Sequence, residues 1–138
     1  MPGYSGTPLP KKLGIKDGFR VALLNVPDDV RAELGDSFKK CSILKPASGA
    51  LDFVFLFVKS RAALDRDLLP AAAGLAPAGM LWISWPKKSS GVSSDLDENV
   101  VRLSGLAAGL VDIKVCAVTE VWSGLKFVIP VKNRPKRK

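Results

Sequence analysis

The chain of 138 residues contains no histidine. That absence excludes Ser-His-Asp and Cys-His nucleophilic mechanisms and every zinc site that needs an imidazole. Cysteine is almost as scarce: Cys41 and Cys116 stand alone in separate apolar segments. Such a pair can neither complete an all-cysteine tetrahedral zinc site nor build a disulfide framework. Both are expected as reduced thiols buried in strands. No metal site and no catalytic residue is expected, and any general base must come from Asp, Glu, Lys or Tyr. Long apolar runs are missing too. None reaches the roughly 18–20 residues that cross a bilayer. The opening MPGYSGTPLPKKLG lacks the apolar stretch of a secretory signal. A cytoplasmic protein with no membrane partner is expected.

What is present suits one folded domain. Hydrophobic content of 47% beside 25% charged residues is that of a globular chain, not a disordered one. Residues 1–12, rich in Gly, Pro and small polar residues, read as an extended arm with Tyr4 as its anchor. Residues 13–131 read as a single domain and 132–138 as a basic tail. The net charge of +8 is uneven, because Lys132, Arg134, Lys136, Arg137 and Lys138 supply five of those charges. Such a tail offers weak, nonspecific contact with nucleic-acid phosphates, or else is a solvated terminus.

The pattern alternates strands and helices. Leu9 to Leu13 predicts a short helical turn before Gly14, and Arg20 to Leu24 a buried strand. Pro27-Asp28-Asp29 opens a helix that stops at Gly35, its carboxylates opposing the positive dipole end. Lys39 to Leu44 predicts a second strand. Phe53 to Val58 is apolar at every position, which predicts a central parallel strand. Ser60 is placed to cap a helix from Arg61 to about Leu75, with Ala62, Leu64, Leu68 and Leu69 toward the sheet. Pro70 is expected to bend or divide it. Ala76-Pro77-Ala78-Gly79 reads as a turn, Met80 to Trp85 as a strand, and Lys87 to Ser94 as a polar loop. Leu96, Val100, Leu103 and Ala107 mark the apolar face of a helix over 95–108. Val111–Val121 and Lys126–Val131 read as two strands joined by a hairpin turn at Trp122-Ser123-Gly124-Leu125. Trp82 and Trp85 fall on opposite faces of their strand, with one or both in the core, and Trp122 is expected to cap the sheet. The expected architecture is a three-layer α/β/α sandwich of about six strands, mostly parallel, with an antiparallel C-terminal hairpin.

Three segments carry a resemblance. They are LGIKDGFRV feeding the first strand, DFVFLFVKS…LAPAGMLWISWPK, and the closing GLAAGLVDIKVCAVTEVWSGLKFVIPVKN. Together they resemble a class I methyltransferase core, a Rossmann-like fold, over roughly residues 13–133. The glycine-rich loop of that family would follow the first strand, but Asn25-Val26-Pro27-Asp28-Asp29 has no glycine. The acidic residue that would bind a ribose after the second strand is replaced by Leu44-Lys45-Pro46. No cofactor is therefore expected, and adenosylmethionine or NAD should bind weakly or not at all. The chain is also similar to a bacterial domain family of unknown function at GYSGTPLPKKLGIK, LWISWPKKSSGV and GLVDIKVCAVTEVWSGLKFV. That resemblance spans nearly the whole chain and implies no activity.

In open α/β sheets ligands sit beyond the carboxyl ends of the strands, where strand order reverses. Asn25, Lys59, Ser60, Arg61, Lys87, Lys88, Ser89 and Ser90 are placed there. Cations, hydroxyls and helix starts on one edge suit a phosphate-like anion; the alternative is a solvated rim. The function these residues favour is a non-enzymatic binding module for an anionic ligand or a macromolecular partner. The alternative is an atypical methyltransferase-like or phosphate-handling enzyme.

Overall fold

A computed structural model describes residues 8–134. Tyr4 and residues 135–138 of the tail lie outside it. Four helices, α1 (Leu9–Leu13), α2 (Asp28–Leu34), α3 (Arg61–Ala73) and α4 (Glu98–Ala107), flank six strands. The strands are β1 (Arg20–Leu24), β2 (Ser42–Ile43), β3 (Leu51–Phe57), β4 (Leu75–Pro86), β5 (Val111–Ala117) and β6 (Trp122–Val128). They form one sheet in the order β2-β1-β3-β4-β6-β5. β1 to β4 pair in parallel, whereas β6 is antiparallel to both β4 and β5. Five strands therefore run one way and only β6 is reversed, the mostly parallel sandwich the pattern predicts.

The sheet divides two cores. Leu9 and Leu13 of α1 and Val30 and Leu34 of α2 pack against Val21, Phe53, Phe55, Phe57 and Trp82. On the other face Leu64, Leu68 and Ala71 of α3 and Val101 of α4 pack against Val54, Leu56, Ile83, Leu125 and Phe127. Phe53 through Leu56 are fully buried on both faces, as the unbroken apolar run requires. Each large side chain so buried contributes about 1.5–3 kcal/mol. Trp82 and Trp85 do face opposite cores. The Trp82 indole Nε1 donates to the Leu13 carbonyl at 3.0 Å, pinning α1 to the sheet.

Several boundaries differ from the expected ones. Residues 76–79 are not a turn but part of β4, which already pairs at Leu75 with Leu51. The extra residues bulge between that pair and Phe53–Met80. Gly79 permits this, since a β carbon there would overlap the Leu51 carbonyl. The second strand shrinks to Ser42–Ile43 because Gly35–Phe38 forms a 3-10 helix first. Cys41 therefore lies in a turn, and both thiols are free and half-buried, not fully buried in strands. α3 runs unbroken through Pro70, and Leu69 is exposed, as is Ala62, with Ala71 buried instead.

α4 starts later because Asp97 is its N-cap, accepting from the Val100 amide at 2.8 Å. Its buried face is Val101 and Gly105, and Leu103 is 57% exposed. The helix approaches the sheet where Gly105 has no side chain, against the Phe127 ring. The hairpin turn also moves, to residues 118–121. The Thr119 Oγ1 accepts from the Val121 and Trp122 amides, each at 3.1 Å, and turns the chain there. Gly124 belongs to the strand β6, where Val118 and Trp82 leave no room for a side chain. β6 consequently ends at Val128, and Trp122 is buried at its start.

Candidate functional site

The chain leaves β1 through α2 to reach β2 on one side, then returns to place β3 on the other side of β1. Strand order therefore reverses between β1 and β3, which splays the connections apart at their carboxyl ends. A cleft of about 400 Å³ opens there. Asn25 and Pro27 line it from the β1 side, and Phe57, Val58 and Lys59 from the end of β3. Ala63 and Arg66 of α3 and the ring of Trp122 complete it. Trp122 meets Phe57 edge to face, with ring centroids 4.9 Å apart, so the aromatic floor is fixed by packing.

Asn25 adopts φ 61, the left-handed conformation. Asparagine tolerates that region better than most residues. It makes the sharp exit from β1 that a glycine would otherwise make. The Asn25 Nδ2 lies 3.4 Å from the Phe57 carbonyl and 3.4 Å from the Asp67 Oδ2. Asp67 in turn accepts two bonds from Arg66, at 3.0 and 3.1 Å. Asp67 thus ties the loop after β1 to the cation of α3. Its hydrogen bond and charge push the Arg66 guanidinium further above its ordinary value, so it is a permanent cation. Sequence reasoning missed both Arg66 and Asp67. They read as surface charges on a helix, and nothing local relates them to residue 25.

The expected site residues divide. Asn25 and Lys59 line the cleft together. The Ser60 hydroxyl accepts from the Ala63 amide at 3.1 Å as the α3 cap. The Arg61 amide donates to the Asp95 Oδ1 at 2.7 Å, so a carboxylate of the chain itself occupies that helix start. The Arg61 side chain pairs with Asp65 at 3.2 Å and lines the groove between α3 and α4. Lys87, Lys88, Ser89 and Ser90 follow β4, one strand beyond the reversal, and are not among the cleft lining. Ser90 spends its hydroxyl on the Lys87 carbonyl at 2.6 Å. Among the described residues no cluster of acids and thiols could hold a metal ion. No helix among them is long and apolar enough to cross a membrane.

No family model and no curated protein sequence matches the chain. Solved structures do. The chain is similar to a putative methyltransferase from Thermoplasma acidophilum, with TM-score 0.56 and 10% identity over 84% of this chain and 70% of that one. It is similar to the magnesium protoporphyrin IX methyltransferase of Synechocystis, with TM-score 0.56 and 10% identity over 88% of this chain and 74% of that one. A TehB-like methyltransferase from Corynebacterium glutamicum gives TM-score 0.55 and 7% identity over 93% and 90% of the two chains. The fold is therefore the Rossmann-like fold of class I methyltransferases. The expectation of a non-enzymatic binding module is corrected by these neighbours, which are methyltransferases and lie nearer the alternative of a methyltransferase-like protein.

Proposed function

We propose that the chain is an atypical methyltransferase-like enzyme that handles a phosphate-bearing small molecule in the cleft at the strand-order reversal. The observation that carries this reading is the position of the cleft, between the carboxyl ends of β1 and β3, with Lys59 and Arg66 as its cations. Asp67 holds the Arg66 guanidinium by two bonds, which limits the freedom lost when an anion binds. With no histidine in the chain, proton transfer here falls to Lys59 or to a carboxylate. Asp67 is the one in contact with the lining, through Asn25 and Arg66.

The residues present do not fit adenosylmethionine in the usual cradle. That molecule carries a sulfonium and an ammonium against one carboxylate, and the cleft meets the two cations with Lys59 and Arg66 while Asp67 is already engaged by Arg66 and Asn25. No acid follows β2, where Leu44-Lys45-Pro46 stands. Val26 is buried behind the loop, and Pro27 has no amide proton to give. The test is a melting curve with inorganic phosphate or a nucleoside monophosphate added at constant ionic strength. An anion acting through this cleft raises the melting temperature of the wild type and not of a Lys59→Ala, Arg66→Ala variant. Equal shifts in both proteins would refute the site.

A further inference from the structure

We propose that the phosphate-bearing molecule of the cleft is a nucleoside monophosphate, its base held against Trp122 while its phosphate meets Lys59 and Arg66; this rests on the cleft being the phosphate site proposed above. The lining is of two kinds. Pro27, Phe57, Val58, Ala63 and Trp122 are apolar or aromatic, and Lys59 and Arg66 supply the charge. Phe53, Phe55 and Phe57 lie on one face of β3 and meet in turn, with ring centroids 5.7 and 4.6 Å apart. Trp122 continues this row, its centroid 4.9 Å from that of Phe57, and both of these rings line the cleft. The rings are packed before any ligand arrives, so little side-chain freedom is lost when one binds.

A buried indole N–H ordinarily finds an acceptor. Trp82 does so, donating to the Leu13 carbonyl at 3.0 Å. Trp122 is only 5% exposed, yet among the described residues its Nε1 makes no hydrogen bond. Nor is that atom sealed from solvent: among the described residues, the buried side-chain polar atoms without a partner are the Ser84 Oγ and the Ser104 Oγ. A packed side chain of the lining thus keeps an open donor. The Asn25 Nδ2 is already engaged by the Phe57 carbonyl and Asp67, so the indole is the uncharged side-chain donor left to a ligand. This selects among phosphate esters. A sugar phosphate would set several hydroxyls against Pro27, Phe57 and Trp122 with one neutral donor for them, and polar groups left unpaired cost binding energy. A lipid phosphate would need room for long chains, whereas the cleft is about 400 Å³. A nucleobase brings a flat ring that packs on aromatic neighbours, and a carbonyl or ring nitrogen that accepts from a single N–H.

The experiment is isothermal titration calorimetry of the full chain with each common ribonucleoside 5′-monophosphate and with ribose 5-phosphate, which lacks only the base. At least one nucleotide should bind about tenfold more tightly than ribose 5-phosphate. Trp122→Phe keeps a ring and removes the donor. It should weaken that nucleotide about fivefold and leave ribose 5-phosphate unchanged. Lys59→Ala with Arg66→Ala should abolish the heat of both. Ribose 5-phosphate binding as tightly as every nucleotide, with both lost in the double variant, would overturn the base site and leave the phosphate reading standing. No heat from any of these compounds would refute both. Equal weakening of nucleotide and sugar phosphate in a folded Trp122→Phe protein would overturn the role given to the indole. The wild-type comparison decides the base site by itself, whether or not Trp122→Phe folds.

Discussion

Gly105 is the position where helix propensity and packing make opposite predictions, so its substitution tests the account of how α4 docks. Gly105→Ala in a helix interior should stabilise by about 0.5–1 kcal/mol if propensity alone decides. The structure says otherwise. A β carbon at residue 105 would overlap the ring of Phe127, which is fully buried and cannot swing aside. Either α4 moves off the sheet or the ring leaves its rotamer, and overpacking of this kind costs about 1–3 kcal/mol. The net expectation is destabilisation by about 0.5–2 kcal/mol. At roughly 4 °C per kcal/mol for a domain of this size, the melting temperature should fall visibly. Urea denaturation followed by circular dichroism measures it. Phe127→Leu, which shortens the ring, should rescue part of the loss, so the double variant should be more stable than the sum of the single changes by about 1 kcal/mol. A Gly105→Ala protein more stable than the wild type, with additive behaviour in the double variant, would refute the close approach of α4.

Two further perturbations test other joints. Trp82→Phe leaves the Leu13 carbonyl without its indole donor in a buried setting, and should cost about 1–3 kcal/mol from that bond alone; denaturation within experimental error of the wild type would show that α1 is not pinned there. Asp112 accepts from Arg102 at 2.9 Å, and that hydrogen bond holds its carboxyl below the ordinary value. A lowered folded-state value gives stabilisation that is present above the unfolded value of about 3.9 and is lost as pH falls through the lowered one. Arg102→Gln should therefore lower the melting temperature at neutral pH, with the gap to wild type closing in acid. A gap that fails to narrow as the pH falls below the ordinary carboxylate range would show that Arg102 stabilises by some other route.

The parts of the fold legible in the sequence are those whose signal is local. Phe53 to Val58 announces a strand buried on both faces because no position along it tolerates a polar side chain. Arg20–Leu24 and Asp28–Leu34 match their expected bounds because Pro27 and Gly35 mark the helix ends chemically. The misreadings concern glycines and prolines that serve packing rather than turning. Gly79 and Gly124 look like turn residues, but they allow close backbone approach inside strands. Leu103 lies on a credible apolar stripe, yet the helix is rotated so that Gly105 faces Phe127. The cleft was half legible. Asn25 and Lys59 follow from the rule that ligands sit at strand ends, but Arg66 and Asp67 reach the site only through α3. Asn25 also carries the left-handed turn without the glycine that usually signals it.

The central claim is that the cleft between β1 and β3 takes a phosphate-bearing substrate. Isothermal titration calorimetry of the full chain with a nucleoside monophosphate, with inorganic phosphate and with adenosylmethionine tests it most directly. The account predicts measurable heat for the phosphate compounds, its loss in the Lys59→Ala, Arg66→Ala variant, and little or no heat for adenosylmethionine. Low-micromolar adenosylmethionine binding with silent phosphate titrations, or phosphate binding unchanged in the variant, would contradict it.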